Sequence, residues 1–284
     1  MSPPNRRLIV TADDFGLSRE VNEAVERAAR EGILTCASLM VGEAAAADAI
    51  ERARRLPGLR VGLHVVVADG FPVLSPARIP ALCDDAGRLD GRLVRAGFRF
   101  FFNRRATRQL EAEIHAQFAA FAQSGLVLDH VNAHKHMHLH PTVLTLILKI
   151  GREYGMRAVR LPYEPPSAAL SAAQMRQRRR AAAVTGLWTA VMRWRLDRAR
   201  VLHNDTVLGL VQSGVLDEAA VIALLRRLPE GVTELYCHPA IAADDAARRR
   251  GDRPHDELNA LLSPQVAQAL RAQGVARMTF SDLA

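Results

Sequence analysis

Only three cysteines occur in 284 residues, Cys36, Cys83 and Cys237, and no two of them form a CxxC pair. An odd, scattered set excludes a disulfide framework and fits a reducing, cytoplasmic setting. Long hydrophobic runs are missing too. Nothing approaches the roughly 20 apolar residues that cross a bilayer, and the first seven residues lack the apolar h-region of a signal peptide. Aromatic residues make up 5% of the chain, and no helix-turn-helix, zinc-finger or RNA-binding signature accompanies them, which argues against a nucleic-acid partner. No internal repeat, low-complexity tail or linker divides the sequence. The expectation is one domain over residues 1–284 with a single sizeable core.

Acidic residues are outnumbered by basic ones, giving a net charge of +8, and arginine supplies nearly all of the basic side. Such a surface suits an anionic membrane face or nucleic acid. A compositional bias toward Arg and Ala would produce the same total, although not the clustering of arginines.

Residues 7–12 form a short apolar strand ending in Asp13-Asp14-Phe15-Gly16. Ser18 is placed to cap a helix whose apolar face carries Val21, Ala24, Val25 and Ala28, with Gly32 at its end. Residues 33–41 read as a strand, 43–56 as a helix and 59–67 as a strand carrying His64. Strand-helix alternation of this kind means parallel βα units. Residues 68–103 break the rhythm with Pro72, Pro76, Pro80 and the cluster Phe98, Phe100, Phe101 and Phe102. This stretch is expected to be an insertion without regular structure over the active-site mouth. Residues 165–200 form a basic amphipathic helical segment, with Val184, Leu187, Trp188, Val191, Met192 and Arg195 at helical spacing. It reads either as a membrane-surface element or as an ordinary helix packed on the barrel. The total is seven to eight βα units, an α/β fold built as a distorted, TIM-barrel-like (β/α) barrel.

The most informative stretch is residues 129–141, in which His134, His136, His138 and His140 occupy every second position. In an extended chain they would share one face with Asn132. Asp13-Asp14, His64 and His238 (in Tyr236-Cys237-His238-Pro239) lie at other strand ends, which converge on one face of a parallel barrel. One carboxylate and two imidazoles suit Zn²⁺ or a similar divalent ion with open positions. A second carboxylate could take a proton from water and a further histidine could protonate a leaving amine. That set describes a hydrolase for an amide or ester. A two-metal phosphoesterase is the competing chemistry, but no second carboxylate-rich cluster is present.

These motifs, Thr-Ala-Asp13-Asp14-Phe15-Gly16, Gly62-Leu63-His64, Asn132-Ala-His134-Lys-His136-Met-His138 and Cys237-His238-Pro239, resemble the signature of the YdjC-like carbohydrate deacetylases. Asn-Ala-His-Lys-His-Met-His-Leu-His-Pro and Arg-Phe-Phe-Phe look most like the subgroup associated with hopanoid biosynthesis. The resemblance implies removal of an acetyl group from an N-acetylated amino sugar, with one divalent metal (Zn or Mg) as cofactor. It implies Asp14, His64 and His134 as metal ligands, with His138 the alternative to His134. Asp13 would be the general base and His238 the acid for the amine. His136, His138, Asn132 and Arg160 would contact substrate. The implied substrate is an N-acetylglucosaminyl hopanoid, handled by a cytoplasmic protein at the inner membrane face, with a homodimer as a candidate state. Soluble chitooligosaccharides are the alternative substrate.

Overall fold

The apolar run Leu8-Ile9-Val10 lies within β1 (Arg6–Phe15) and is buried on both faces, the environment of a strand inside a parallel sheet. The computed structural model describes residues 5–243 and 251–284, and the side chains of all of these except 167 and 177–185. After β1 comes α1 (Arg19–Glu31). Ser18 accepts the Val21 N–H at 3.3 Å at its start, and Val21, Ala24, Val25 and Ala28 form its buried face. The alternation continues through β2 (Cys36–Leu39), α2 (Ala46–Arg54) and β3 (Arg60–Val65). Next come α3 (Leu93–Phe102), α4 (Arg104–Gln123), β4 (Leu128–Ala133), α5 (Pro141–Glu153) and α6 (Ala172–Ala199). The chain finishes with β5 (Thr206–Leu208), α7 (Glu218–Leu225), β6 (Gly231–Cys237), α8 (Pro254–Leu262), α9 (Pro264–Ala272) and β7 (Ala276–Met278).

Six strands pair in parallel in the order β4-β3-β2-β1-β6-β5, and β7 adds to β1. One edge of β1 belongs to β6, from Arg6 to Ala12. The other is divided between β7, at residues 7–9, and β2, at residues 11–15. The distorted, TIM-barrel-like barrel of seven to eight units expected from the sequence is corrected to an open, barrel-like parallel sheet of seven strands among the described residues. The apolar stretch around Ala158 and Val159 contributes only isolated bridges, Val131 to Val159 and Ala158 to Leu202. The reason is local. The Leu161 N–H is taken by the Asn204 side chain at 2.8 Å, and Pro162, Pro165 and Pro166 have no N–H to offer a ladder.

Two further expectations change. Residues 68–103 are not wholly irregular, because residues 93–102 form α3, seated by Ala96 and Phe100 one turn apart. The loop before α3 is pinned by buried acceptors. Glu113 of α4 takes the N–H groups of Val73 and Leu74 at 2.8 and 3.0 Å, and Glu43 takes that of Phe71 at 2.9 Å. Most of the segment 165–200 does form a helix, α6, but among its described side chains only Thr189, Met192 and Leu196 are buried. Leu187, Trp188, Val191 and Trp194 remain exposed, and Val184 lies outside the described side chains.

Strand alternation stacks the inward residues in tiers. Ile9, Cys36, Val232, Met278 and Phe280 pack as an apolar floor. Buried polar residues, including Ser38 and Glu234, lie above it, two positions further along β2 and β6. The strand ends then open on a cavity.

Candidate active site

A cavity of about 530 Å³ opens at the C-terminal ends of β1, β3, β4 and β6, and Asp13, Asp14, His64, His134, His136 and His238 line it. Two adjacent residues of a regular strand point to opposite faces, yet Asp13 and Asp14 both reach this cavity. Asp14 achieves it by adopting φ 61°, a left-handed conformation uncommon outside glycine, where the β1–β2 register shifts between Ala12 and Phe15. Strain of this kind is concentrated at functional sites.

The histidine row is not extended, which corrects the one-face reading. β4 ends at Ala133, and residues 134–139 form a 3-10 turn in which Lys135 and His136 are left-handed. The four imidazoles therefore diverge. His134 Nδ1 lies 3.0 Å from Asp14 Oδ1, and His136 Nε2 lies 3.5 Å from the Tyr236 hydroxyl. His138 Nε2 donates to the Arg160 carbonyl at 3.2 Å. His140 accepts the Thr142 N–H at the start of α5 and donates to the Gly97 carbonyl of α3 at 3.1 Å.

Asp14, His64 and His134 each offer a donor atom within 4.8 Å of the others. His64 Nε2 lies 3.3 Å from the same Asp14 oxygen that faces His134. One carboxylate and two imidazoles on a half-open wall fit a divalent ion of the Zn²⁺ type and leave positions for water and substrate. His138 is turned away from this trio, so the geometry favours His134 over His138 as a ligand.

Asp13 sits beside the trio and is almost wholly buried. Arg160 clamps it with two bonds, Nη1 to Oδ2 at 2.5 Å and Nη2 to Oδ1 at 2.9 Å, and also holds Glu234 at 2.7 and 2.8 Å. Burial would raise the Asp13 carboxyl, but the charges of Arg160, His64 and His238 outweigh it and hold the group well below the usual carboxylate range. Asp14 is likewise held down against burial by His134 and His64. Burial pushes His136 down to about 3, with the Arg160 charge adding to it. His136 is therefore neutral at neutral pH. His238 is half-buried, and its backbone N–H donates to the buried Glu257 of α8 at 2.5 Å.

Of the residues expected to contact substrate, only His136 reaches the cavity wall. Asn132, His138 and Arg160 are fully buried behind it. Asn132 bridges His64 Nδ1 at 2.6 Å and Asp13 Oδ1 at 3.1 Å, while Arg160 holds Asp13. Glu234 and Tyr236 were missed by sequence reasoning. A lone charged residue, Glu234, inside the otherwise uncharged strand 231–237 was the available signal.

A model of the YdjC-like protein family matches residues 7–272. The chain belongs to the YdjC-like family. A carbohydrate deacetylase of Brevibacillus brevis is 29% identical over 290 residues, covering 98% of this chain and 99% of its own. The carbohydrate deacetylase of Homo sapiens is 31% identical, covering all of this chain and 93% of its own. Among solved structures, an Enterococcus faecalis V583 protein named for cellobiose-phosphate cleavage superposes with a TM-score of 0.75 at 23% identity, covering 99% of both chains. That last likeness is one of fold.

Proposed function

We propose that this chain is a metal-dependent hydrolase that removes the N-acetyl group from an amino sugar. The observation that carries the reading is the convergence of Asp14, His64 and His134 on one cavity with Asp13 beside them. The relatives' name, carbohydrate deacetylase, supplies the substrate class. A Zn or Mg ion held by Asp14, His64 and His134 would supply Lewis acidity to the amide carbonyl. The chain's own groups do the rest. Asp13, ionised and fixed by Arg160, accepts a proton from the attacking water. His238 hands a proton to the amine nitrogen as the C–N bond breaks and acetate leaves. His136, neutral, offers hydrogen bonds to sugar hydroxyls without adding charge.

The acceptor is proposed to be lipid-linked, an N-acetylglucosaminyl hopanoid. A second cavity of about 450 Å³ adjoins the first, and Leu93 and His136 line both. Its walls are apolar: Phe98 and Phe101 from α3, Met137 and Leu139 from the turn after β4, and Trp188 from α6. It could shelter a lipid next to a sugar in the first cavity. No described helix is long and apolar enough to cross a membrane, so contact would be peripheral. Phe98 (63% exposed), Phe102 (80%) and Trp194 (61%) would meet the bilayer, with the net charge of +8 favouring its anionic cytoplasmic face.

Acetate release from an N-acetylglucosaminyl hopanoid and from diacetylchitobiose, with and without EDTA and alongside Asp13→Asn, tests the reading. We expect EDTA-sensitive release, faster from the lipid and reduced at least about 100-fold by Asp13→Asn. Release from the soluble sugar alone would discard the lipid acceptor, and release from neither would discard the deacetylase.

A further inference from the structure

Below the three candidate metal donors, a file of buried side chains descends toward the apolar floor. His64 Nδ1 lies 2.6 Å from Asn132 Oδ1, and the Asn132 amide nitrogen lies 2.9 Å from Ser38 Oγ. Ser38 Oγ is 3.0 Å from His130 Nε2, and His130 Nδ1 is 2.9 Å from Asp129 Oδ2. The other Asp129 oxygen accepts the Ser281 N–H at 2.9 Å and the Ser281 hydroxyl. Ser38, His64, Asp129, His130 and Asn132 are all at most 3% exposed.

The direction of every bond follows from what each atom can do. The Asn132 amide nitrogen can only donate, so Ser38 Oγ accepts from it and gives its own proton to His130 Nε2. His130 then carries its hydrogen on Nδ1 and donates to Asp129, an acceptor. At the upper end the Asn132 carbonyl oxygen can only accept, so His64 carries its hydrogen on Nδ1. Nε2 is the ring nitrogen left facing Asp14 and His134. Flipping the Asn132 amide would set its oxygen against the Asp13 carboxylate, 3.1 Å away. Reversing any single link leaves buried groups mismatched, at a cost comparable to a lost hydrogen bond.

Gly62 supports the same arrangement. A β-carbon there would lie 2.5 Å from the His130 ring and 2.5 Å from its carbonyl oxygen. Gly62 is not among the glycines with positive φ, so its role is to clear space for this imidazole.

We propose that Asp129, His130 and Ser38 are positioning residues that lock His64 in its Nδ1–H tautomer and so set the affinity of the Asp14–His64–His134 site for a divalent ion. This rests on the metal-dependent reading above. Cys36, Asp129 and His130 also bring donor atoms within 4.8 Å of one another. In that group, though, the thiol faces Asp129 at 3.6 Å and both His130 nitrogens are engaged in the file. It is the anchor of the file.

The test is titration of the metal-free protein with Zn²⁺ against a chromophoric chelator, together with the visible absorption of the Co²⁺-loaded protein. Ser38→Ala should raise the Zn²⁺ Kd about 10–100-fold and alter the Co²⁺ spectrum, and Ser38→Thr should recover most of the loss. Asp129→Asn should act in the same direction and serves if Ser38→Ala does not fold. Thr206→Val is the control. It removes one hydroxyl of the buried Thr206–Thr233 pair (2.9 Å) in the same sheet, and should lower urea stability without moving the Kd. Wild-type affinity in both Ser38→Ala and Asp129→Asn, or an equal loss in Thr206→Val, overturns the proposal. A wild-type protein that binds no Zn²⁺ overturns the metal-dependent reading itself and this proposal with it.

Discussion

Arg160 has no solvent exposure and holds two buried carboxylates at once, Asp13 and Glu234. Removing the cation would leave both uncompensated, so Arg160→Met should cost about 3–5 kcal/mol of stability at pH 7, measured by urea unfolding. The pH dependence has a definite sign. The Asp13 carboxyl in the folded protein lies below its unfolded value, so its contribution is complete above about pH 4 and fades as the pH falls. The deficit of Arg160→Met should be largest at neutral pH and narrow in acid. Asp13, Asp14, His64 and His134 stood out in the sequence because they occur together at the ends of successive apolar strands, and the structure brings all four to one cavity. The place of Arg160 was not legible there. An arginine after Ala158-Val159 reads as a pocket residue until the depth of Glu234 in β6 is known.

At the scale of elements, the local turn decided most of what the sequence concealed. Period-two spacing led to a single histidine face, and two left-handed residues, Lys135 and His136, dispersed it. Nothing in the residue types announces such a turn. Helix α1, by contrast, was readable in full, since cap, apolar stripe and terminal Gly32 are all local signals. The α3 region was half legible: its phenylalanines were visible, and its helix was masked by the preceding prolines. What holds it is Asp90, which binds Arg92 at 2.8 Å and Arg99 at 2.6 Å. The side-chain bond from Arg92, helped by Arg99 against burial, lowers the Asp90 carboxyl to about 2. This contribution is present above the unfolded value near 4 and is lost as the pH falls through 2. Asp90→Asn should therefore destabilise by about 1–2 kcal/mol at pH 7, and thermal melts of variant and parent should converge near pH 2.

For the whole molecule, composition showed the charge and strand-helix alternation the α/β pattern, but neither showed where the sheet stays open. That depended on Asn204 capturing the Leu161 N–H. The exposed aromatics on α3 and α6 lie on a chain of charge +8, so the protein should sediment with anionic vesicles and less so with neutral ones. Raising the salt to about 1 M should weaken that binding by screening the charge. Phe102→Ser with Trp194→Ser should reduce it several-fold while sparing hydrolysis of a soluble sugar. Unchanged co-sedimentation would remove the membrane contact. Arg178, Arg179 and Arg180, whose side chains lie outside those described, supply a companion charge-reversal test. The divided edge of β1 bears on folding. Strand β1 carries Asp13 and Asp14, yet on one of its edges residues 7–9 find their partner only at residues 276–278. Pairings this remote close late, because the loop entropy must be overcome before the contact rewards it. On a ribosome this edge of β1 would stay unpaired until residues 276–278 emerge, while residues 11–15, which bear the two carboxylates, already have β2 to pair with.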